Sequence, residues 1–316
     1  MNLQENRLIN SALTALPIAG KTIWWLLKII VPLSLIVSLL QYWGIIAYIS
    51  VFVSPLFSLV GLPGESALVF ISSLFLSLYA PIAIIASLNL DMREVTILAL
   101  MCLISHNMIV ETAIQKKTGS SALMMFTLRF ISSFFSAYIL NLLLPASSST
   151  QVIKAAAPEF INIYDMLLFW LQSAGWLIVK ITLIVTGLMI LNNVLKEFNM
   201  LNIISKAFSP FMKFFGLSPD SSFLWFVSQT LGLTYGAAVM IESVEKKEIS
   251  LKNTNLLNYH IAINHSMLED TLLFVAIGVS AGWIMIPRII LATIVVWIVI
   301  LFSRQTNKPL SRLNSN

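Results

Sequence analysis

An eight-residue polar stretch, Ser105-His106-Asn107-Met108-Ile109-Val110-Glu111-Thr112, interrupts an otherwise apolar run. It returns 159 residues later as Asn264-His265-Ser266-Met267-Leu268-Glu269-Asp270-Thr271. At the same offset Gly119 meets Gly278, Ser121 meets Ser280 and Arg129 meets Arg288. Eight of the 27 positions from 105 to 131 are identical to their counterparts; average residue usage would give about two. A polar motif repeated within lipid-soluble sequence constrains the fold strongly. Its polar groups must be met by protein or water, so two related units have to share an interior.

Apolar residues make up 58% of the chain and charged residues 10%, with a mean hydropathy of +0.89. Soluble domains carry about 25% charged residues, so the composition describes an all-α, polytopic membrane protein. The net charge of +5 then belongs to basic loops held on the cytoplasmic side, not to a nucleic-acid partner. Cys102 is the only cysteine, which excludes an intrachain disulfide and a thiolate metal cluster. Residues 1–20 are polar and mixed, with no small-residue cleavage site after the first apolar run, so that run is expected to be retained. There is no Walker phosphate loop and no dinucleotide fingerprint, and no organic cofactor is expected.

The chain divides into a lead at 1–21, a first repeat at 22–145, a linker at 146–165, a second repeat at 166–303 and a cytoplasmic tail at 304–316. In the first repeat, a span from Trp24 to about Ile45 is followed by an interfacial segment at 46–62, punctuated by Ser54-Pro55 and Gly61-Leu62. Residues 65–88 are apolar with a polar centre of Ser72, Ser73, Ser77 and Tyr79. The motif helix then runs from Val95 to about Gln115, and a last span covers 122–145. The second repeat replays this order. Ser209-Pro210 and Gly216-Leu217 punctuate it, 221–241 has the polar centre Ser228, Gln229, Thr230, Thr234 and Tyr235, and spans near 256–278 and 283–303 close it.

If 65–88 and 221–241 each cross the membrane once, the repeats are parallel, and Lys196, Lys206 and Lys213 fall outside. If both are re-entrant hairpins, each repeat has about three transmembrane helices and the halves are inverted. The basic clusters Arg7/Lys21, Lys116/Lys117, Lys196–Lys213, Lys246–Lys252 and Arg304–Arg312 then all face the cytoplasm, with both termini. The loop 46–64, without lysine or arginine, falls outside. The inverted arrangement satisfies every basic cluster and is the expectation here. Two arms of about ten residues reach about 15 Å each, to the bilayer midplane, where a tip must satisfy its own backbone.

An ionisable group at membrane depth costs about 2.5–3.5 kcal/mol on insertion scales and is a functional candidate by default. Glu111 and Asp270 lead. Asn107 and Ser266 each precede them by four residues; the plainer reading is hydrogen bonding between helices. His106 and Glu111 stand about 140° apart on a regular helix, so they line one cavity only if the helix unwinds. No histidine pair at ligand spacing, cysteine or carboxylate cluster completes a tetrahedral set along the sequence, and no metal site is expected. A coupling ion, H+ through a histidine or Glu111, or Na+ on unwound carbonyls, stays open. Arg129 and Arg288 sit about two turns into equivalent spans. Pairing with Glu111 and Asp270, or capping a broken helix, stands against binding an anionic substrate.

This unit resembles the nucleoside-recognition Gate domain family: an interfacial helix, a polar-centred hairpin, then a motif helix carrying Ser-His-Asn or Asn-His-Ser. That family includes spore maturation proteins A and B and the membrane core of the bacterial ferrous-iron transporter. In element order the chain is also similar to the concentrative nucleoside transporters. The resemblance implies a two-repeat carrier of the cytoplasmic membrane, moving a nucleoside-like solute, organic anion or ion by alternating access. Ligand contacts would then fall on Ser73, Ser77 and Tyr79, on Gln229, Thr230, Thr234 and Tyr235, and on the motif residues. These are His106, Asn107, Glu111 and Thr112 in one half and Asn264, His265, Ser266, Asp270 and Thr271 in the other. The spore-maturation members imply the alternative, a non-transporting subunit that joins a homo-oligomer or a paralogous membrane partner. The iron transporter's G domain and membrane cysteines are absent from this chain.

Overall fold

The computed structural model describes residues 3–145, 162–230 and 232–305; most of the expected linker and of the tail lies outside them. The first half runs α1 (Leu3–Tyr42), α2 (Ile45–Ser58), α3 (Ser66–Phe75), α4 (Tyr79–Ile85), α5 (Met92–Ser105), α6 (Met108–Lys117) and α7 (Ala122–Leu143). The second runs α8 (Ile163–Glu197), α9 (Met200–Phe208), two 3-10 turns at Ser209–Lys213 and Pro219–Ser221, and α10 (Ser222–Thr230). It continues with α11 (Gly232–Glu245), α12 (Leu251–Ile263), α13 (Glu269–Val275) and α14 (Ala281–Gln305). The order of long helix, short helix, paired short helices, broken helix and long helix occurs in both halves. No strand occurs among the described residues.

Among the described residues, four stretches are long and apolar enough to cross a membrane: Met92–Lys117, which contains the break between α5 and α6, Ala122–Leu143, Ile163–Leu195 and Ala281–Ser303. The protein is an all-helical, multi-pass membrane protein. α1 begins at Leu3, within the lead expected at 1–21, and its 40 residues extend about 60 Å at 1.5 Å per residue. Its polar residues lie along the helix that pairs with α8. Arg7 bonds Glu197 at 2.9 Å, Asn193 donates to the Ser11 carbonyl at 2.7 Å, and Trp170 donates to the Ser34 hydroxyl at 3.1 Å. Numbers rise along one helix as they fall along the other, so α1 and α8 are antiparallel.

The interior is built around α5 and α12. Every residue from Ile97 to Ile104 is fully buried, and Thr254 to Ile263 is buried throughout. A helix apolar on all sides must be enclosed by others. Around α5 stand α7, α3, α14 and α12; around α12 stand α14, α7 and α10. Asp91 starts α5 with a capping box, its carboxylate accepting from Glu94 N–H at 2.8 Å while Glu94 accepts from Asp91 N–H.

Each polar-centred segment is a pair of short helices rather than one long helix. After α3 the chain turns extended at Leu76 (φ −123°, ψ 168°), and α4 packs back on α3. The second pair, α10 and α11, packs likewise, with Gly232 at φ +76° entering α11. The loop before α3 is tightly fitted. Gly61, at φ +73°, lies against Asn141, whose carbonyl and side-chain oxygen both accept from Arg93.

That fit generates a prediction. A Cβ at Gly61 would overlap the Asn141 amide in a backbone conformation that only glycine adopts freely. Gly61→Ala should destabilise the protein by about 1–3 kcal/mol. Gly20→Ala, in α1 with nothing within 4 Å of the new methyl, should be neutral or stabilising by up to about 1 kcal/mol. Thermal unfolding of the two detergent-solubilised variants reads the difference.

Candidate functional site: two broken helices and their arginines

The repeated motif is where each central helix breaks. In the first half α5 ends at Ser105, His106 is extended (φ −63°, ψ 157°), and Asn107 turns left-handed (φ 48°) before α6 begins. In the second, Ser266 takes the same left-handed conformation (φ 48°) between α12 and α13. Asparagine tolerates this region because its short amide bonds locally; Ser266 is held there by its surroundings. Both breaks are seated on the paired short helices. Asn107 N–H donates to the Ser73 and Leu76 carbonyls at 2.9 and 3.2 Å. Ser266 N–H donates to the Ser228 carbonyl at 2.9 Å and Leu268 N–H to the Gln229 carbonyl at 3.2 Å. The free carbonyls at one helix end thus satisfy the free amides at another.

The other ends of the breaks are held by arginines. Arg129, on α7 and fully buried, donates from Nε to the Ile104 carbonyl at 2.8 Å and from its terminal nitrogen to the His106 carbonyl at 2.6 Å. Arg288, on α14 and fully buried, donates to the Ile263 carbonyl at 3.3 Å and to the His265 carbonyl. A guanidinium at a helix C-terminus meets both orphan carbonyls and the negative end of the macrodipole. Arg129 also pairs with Glu111 at 2.8 Å.

Because the helices unwind, groups that a regular helix would separate converge. His106 Nε2 lies 3.4 Å from Glu111 Oε1 and 3.4 Å from Asp270 Oδ2. His265 Nε2 lies 3.2 Å from Glu111 Oε1 and 3.4 Å from His106 Nε2. All four residues are buried. Donor atoms of His106, His265 and Asp270 fall within 4.8 Å of one another. Sequence spacing could not reveal this, because the set is drawn from both halves.

The remaining candidates line the approaches. Tyr79 donates its hydroxyl to Glu269 at 3.3 Å. Gln229 donates to the Asn264 carbonyl at 2.6 Å, and the Asn264 amide faces Met267 sulfur at 3.3 Å. Ser73 and Thr230 turn their hydroxyls onto their own helices, to the Phe70 and Phe226 carbonyls at 2.7 and 2.9 Å. The Ser77 carbonyl accepts from Ala80 N–H at 3.1 Å in the turn. Thr112 and Thr271 are buried, and their hydroxyls have no hydrogen-bond partner among the described residues. Thr234 and Tyr235 belong to α11, but their side chains lie outside the described residues.

Two features escaped sequence reasoning. Glu269 joins the site through Tyr79. A polar lock also ties the end of α6 to α12. Asn258 donates to Thr118 and Ser120 hydroxyls at 2.9 Å each, Ser120 donates to Asn255 at 2.7 Å, and Gln115 donates to the Asn258 carbonyl at 3.3 Å. Its signal was present: Asn255 and Asn258, three apart, share one face of an apolar helix.

The Arg129–Glu111 pair yields a second prediction. Removing one partner of a buried pair strands the other, at a cost of about 3–5 kcal/mol. Arg129→Met should therefore unfold or strongly destabilise the protein, and Arg129→Met/Glu111→Gln should recover part of the loss. A double-mutant cycle by thermal or denaturant unfolding should return a coupling above about 1 kcal/mol. Recovery will be incomplete, since the Ile104 and His106 carbonyls stay uncapped.

Comparison with known proteins places this arrangement in a family. A family model described as "Gate: Nucleoside recognition" matches residues 23–149. The uncharacterized membrane protein YvoD of Bacillus subtilis (strain 168) is 32% identical over 287 residues, covering 89% of this chain and 91% of that protein. No solved structure matches the chain. With motif, helix order and near full-length similarity in agreement, the chain belongs to the nucleoside-recognition Gate family of membrane proteins.

Proposed function

We propose that the protein moves a small polar solute across the cytoplasmic membrane by alternating access, around a site at the contact of two inverted repeats. The observation that carries this reading is the double break. Two helices unwind at equivalent places, each break rests on a pair of short helices, and the ionisable groups of both halves meet between them. Irregular backbone at membrane depth is tolerated where it lines a cavity or binds a ligand, and broken helices at the midplane are the usual location of carrier sites.

The inverted relation is supported by two pieces of geometry. The first long helices of each half, α1 and α8, are antiparallel, as equivalents related by an axis in the membrane plane would be. Leu251 also packs over Gly119, and Met92 over Gly278. These are one contact and its counterpart under the 159-residue offset. In this reading both termini are cytoplasmic, and the solute is nucleoside-like, an organic anion or an ion. Thr112, Thr271 and Asn264 carry oxygens without protein partners and offer the polar contacts. H+ or Na+ is the coupling ion. The spore-maturation likeness supports a second reading, in which the same core joins a membrane partner and transports nothing.

Cysteine labelling in intact cells tests the topology. Cys102 is fully buried and gives no background. Single cysteines placed in 46–64 should react from outside and those in 196–213 only from inside. Both loops reacting on one side would rule out inversion. Uptake into proteoliposomes, screened across nucleosides, organic acids and ions, should identify a solute. Glu111→Gln and Asp270→Asn should abolish that uptake per unit of folded protein, with Glu111→Gln also lowering stability through the stranded Arg129. Unaltered flux in both variants removes these carboxylates from the site.

A further inference from the structure

The two histidines at the breaks are oriented in a way that helix capping and solute contact do not require. His106 Nδ1 lies 3.2 Å from the Cys102 carbonyl and His265 Nδ1 lies 2.8 Å from the Ile261 carbonyl. A carbonyl only accepts, so each Nδ1 must carry the hydrogen, and each neutral ring presents a bare lone pair at Nε2. Those two lone pairs face each other at 3.4 Å; both face Glu111 Oε1, at 3.4 and 3.2 Å, and that of His106 also faces Asp270 Oδ2 at 3.4 Å. Asp270 Oδ2 has no hydrogen-bond donor among the described protein groups. With the rings neutral and the carboxylates ionised, His106 Nε2 faces three electron-pair donors at 3.4 Å each, His265 Nε2, Glu111 Oε1 and Asp270 Oδ2. A bound cation, or a proton on a ring or a carboxyl, relieves that arrangement.

We infer that His106, His265, Glu111 and Asp270 form a binding site for one divalent transition-metal ion of the Zn2+ class. The spacing fits. A tetrahedral ion with metal–nitrogen and metal–oxygen bonds of about 2.0–2.1 Å places its ligands about 3.3–3.4 Å apart along each edge. The His106–His265, His106–Asp270, His106–Glu111 and His265–Glu111 separations are 3.4, 3.4, 3.4 and 3.2 Å. The two remaining edges both involve Asp270: His265–Asp270 is within 4.8 Å, Glu111–Asp270 is wider, and both close only if the Asp270 carboxylate moves inward. The backbone carbonyls on each Nδ1–H are the outer partners that fix tautomer and ring orientation in histidine metal sites. Two imidazoles and two carboxylates select a borderline transition ion over Mg2+ or Ca2+, which take oxygen alone.

The nearby arginines do not oppose a dication as strongly as their charge suggests. Each guanidinium is hydrogen-bonded to the carbonyl end of a helix, which carries about half a negative charge. Glu269, adjacent to Asp270 and bonded to Tyr79, adds a third carboxylate. The helix starts of α6 and α13 at the same breaks offset the two helix ends, so three carboxylates against two arginines leave about one negative charge for the ion to balance.

This site requires no transport, so it is tested apart from any flux assay, on purified full-length protein in detergent. Metal-stripped protein titrated with Co2+ should bind one equivalent and develop the intense visible bands of a tetrahedral ion, which Zn2+ should then bleach. His265→Gln and Asp270→Asn, checked for unchanged helical circular dichroism, should each weaken Co2+ binding by at least about 100-fold. Absence of saturable binding by the wild-type protein overturns the assignment and leaves a shared proton as the cation between the rings. Tetrahedral Co2+ bands that persist in a His106→Gln/His265→Gln double variant overturn it as well.

Discussion

The structure depends on two buried guanidinium groups, each holding the cut end of a helix. A helix that stops inside a membrane protein leaves carbonyls without partners, each costing several kcal/mol if left in hydrocarbon. Arg129 and Arg288 reach across from neighbouring helices to take the last carbonyls of α5 and α12. Arginine suits the task better than lysine, since its planar fork serves two acceptors at once and stays charged when buried. With the ends held, α5 and α12 can stop near the centre of the protein, and the residues that follow can leave helical geometry. Every other feature of the site follows from that freedom.

The amides freed on the far side of each break are satisfied by the short paired helices. These elements therefore serve less as walls than as seats, and their serine side chains turn inward onto their own backbone. In each half the contact is made by carbonyls of the helix end, Ser73 and Leu76 in one and Ser228 and Gln229 in the other. A movement of the paired helices would shift the break resting on them, and through it a histidine and a carboxylate. Backbone hydrogen bonds thus link the site to elements that differ in position along the chain but match in role.

Much of this was legible in the residues. The repeat, the paired short helices and the special status of His106 and His265 all follow from polar groups in places where polarity is costly. Less visible was the use to which they are put. Glu111 stands five residues beyond His106, on a different face of any regular helix, and only the left-handed Asn107 brings the two together. His106 and His265 meet although they are 159 residues apart; spacing rules read neighbours in sequence and are blind to a cluster split between two halves. The polarity near the N-terminus reads as a surface lead; within α1, Ser11 and Thr14 meet Asn193 on α8, a long-range contact that local polarity does not announce.

The reciprocal packing of Met92 over Gly278 and Leu251 over Gly119 bears on how such a chain could arise. A patch that touches its own equivalent is the signature of an isologous interface, the kind formed by two-fold homodimers. Each half already carries both sides of the surface that joins it to the other. A half-length chain with this surface would have the contacts needed to pair with a second copy, a route by which duplication and fusion could give the present chain.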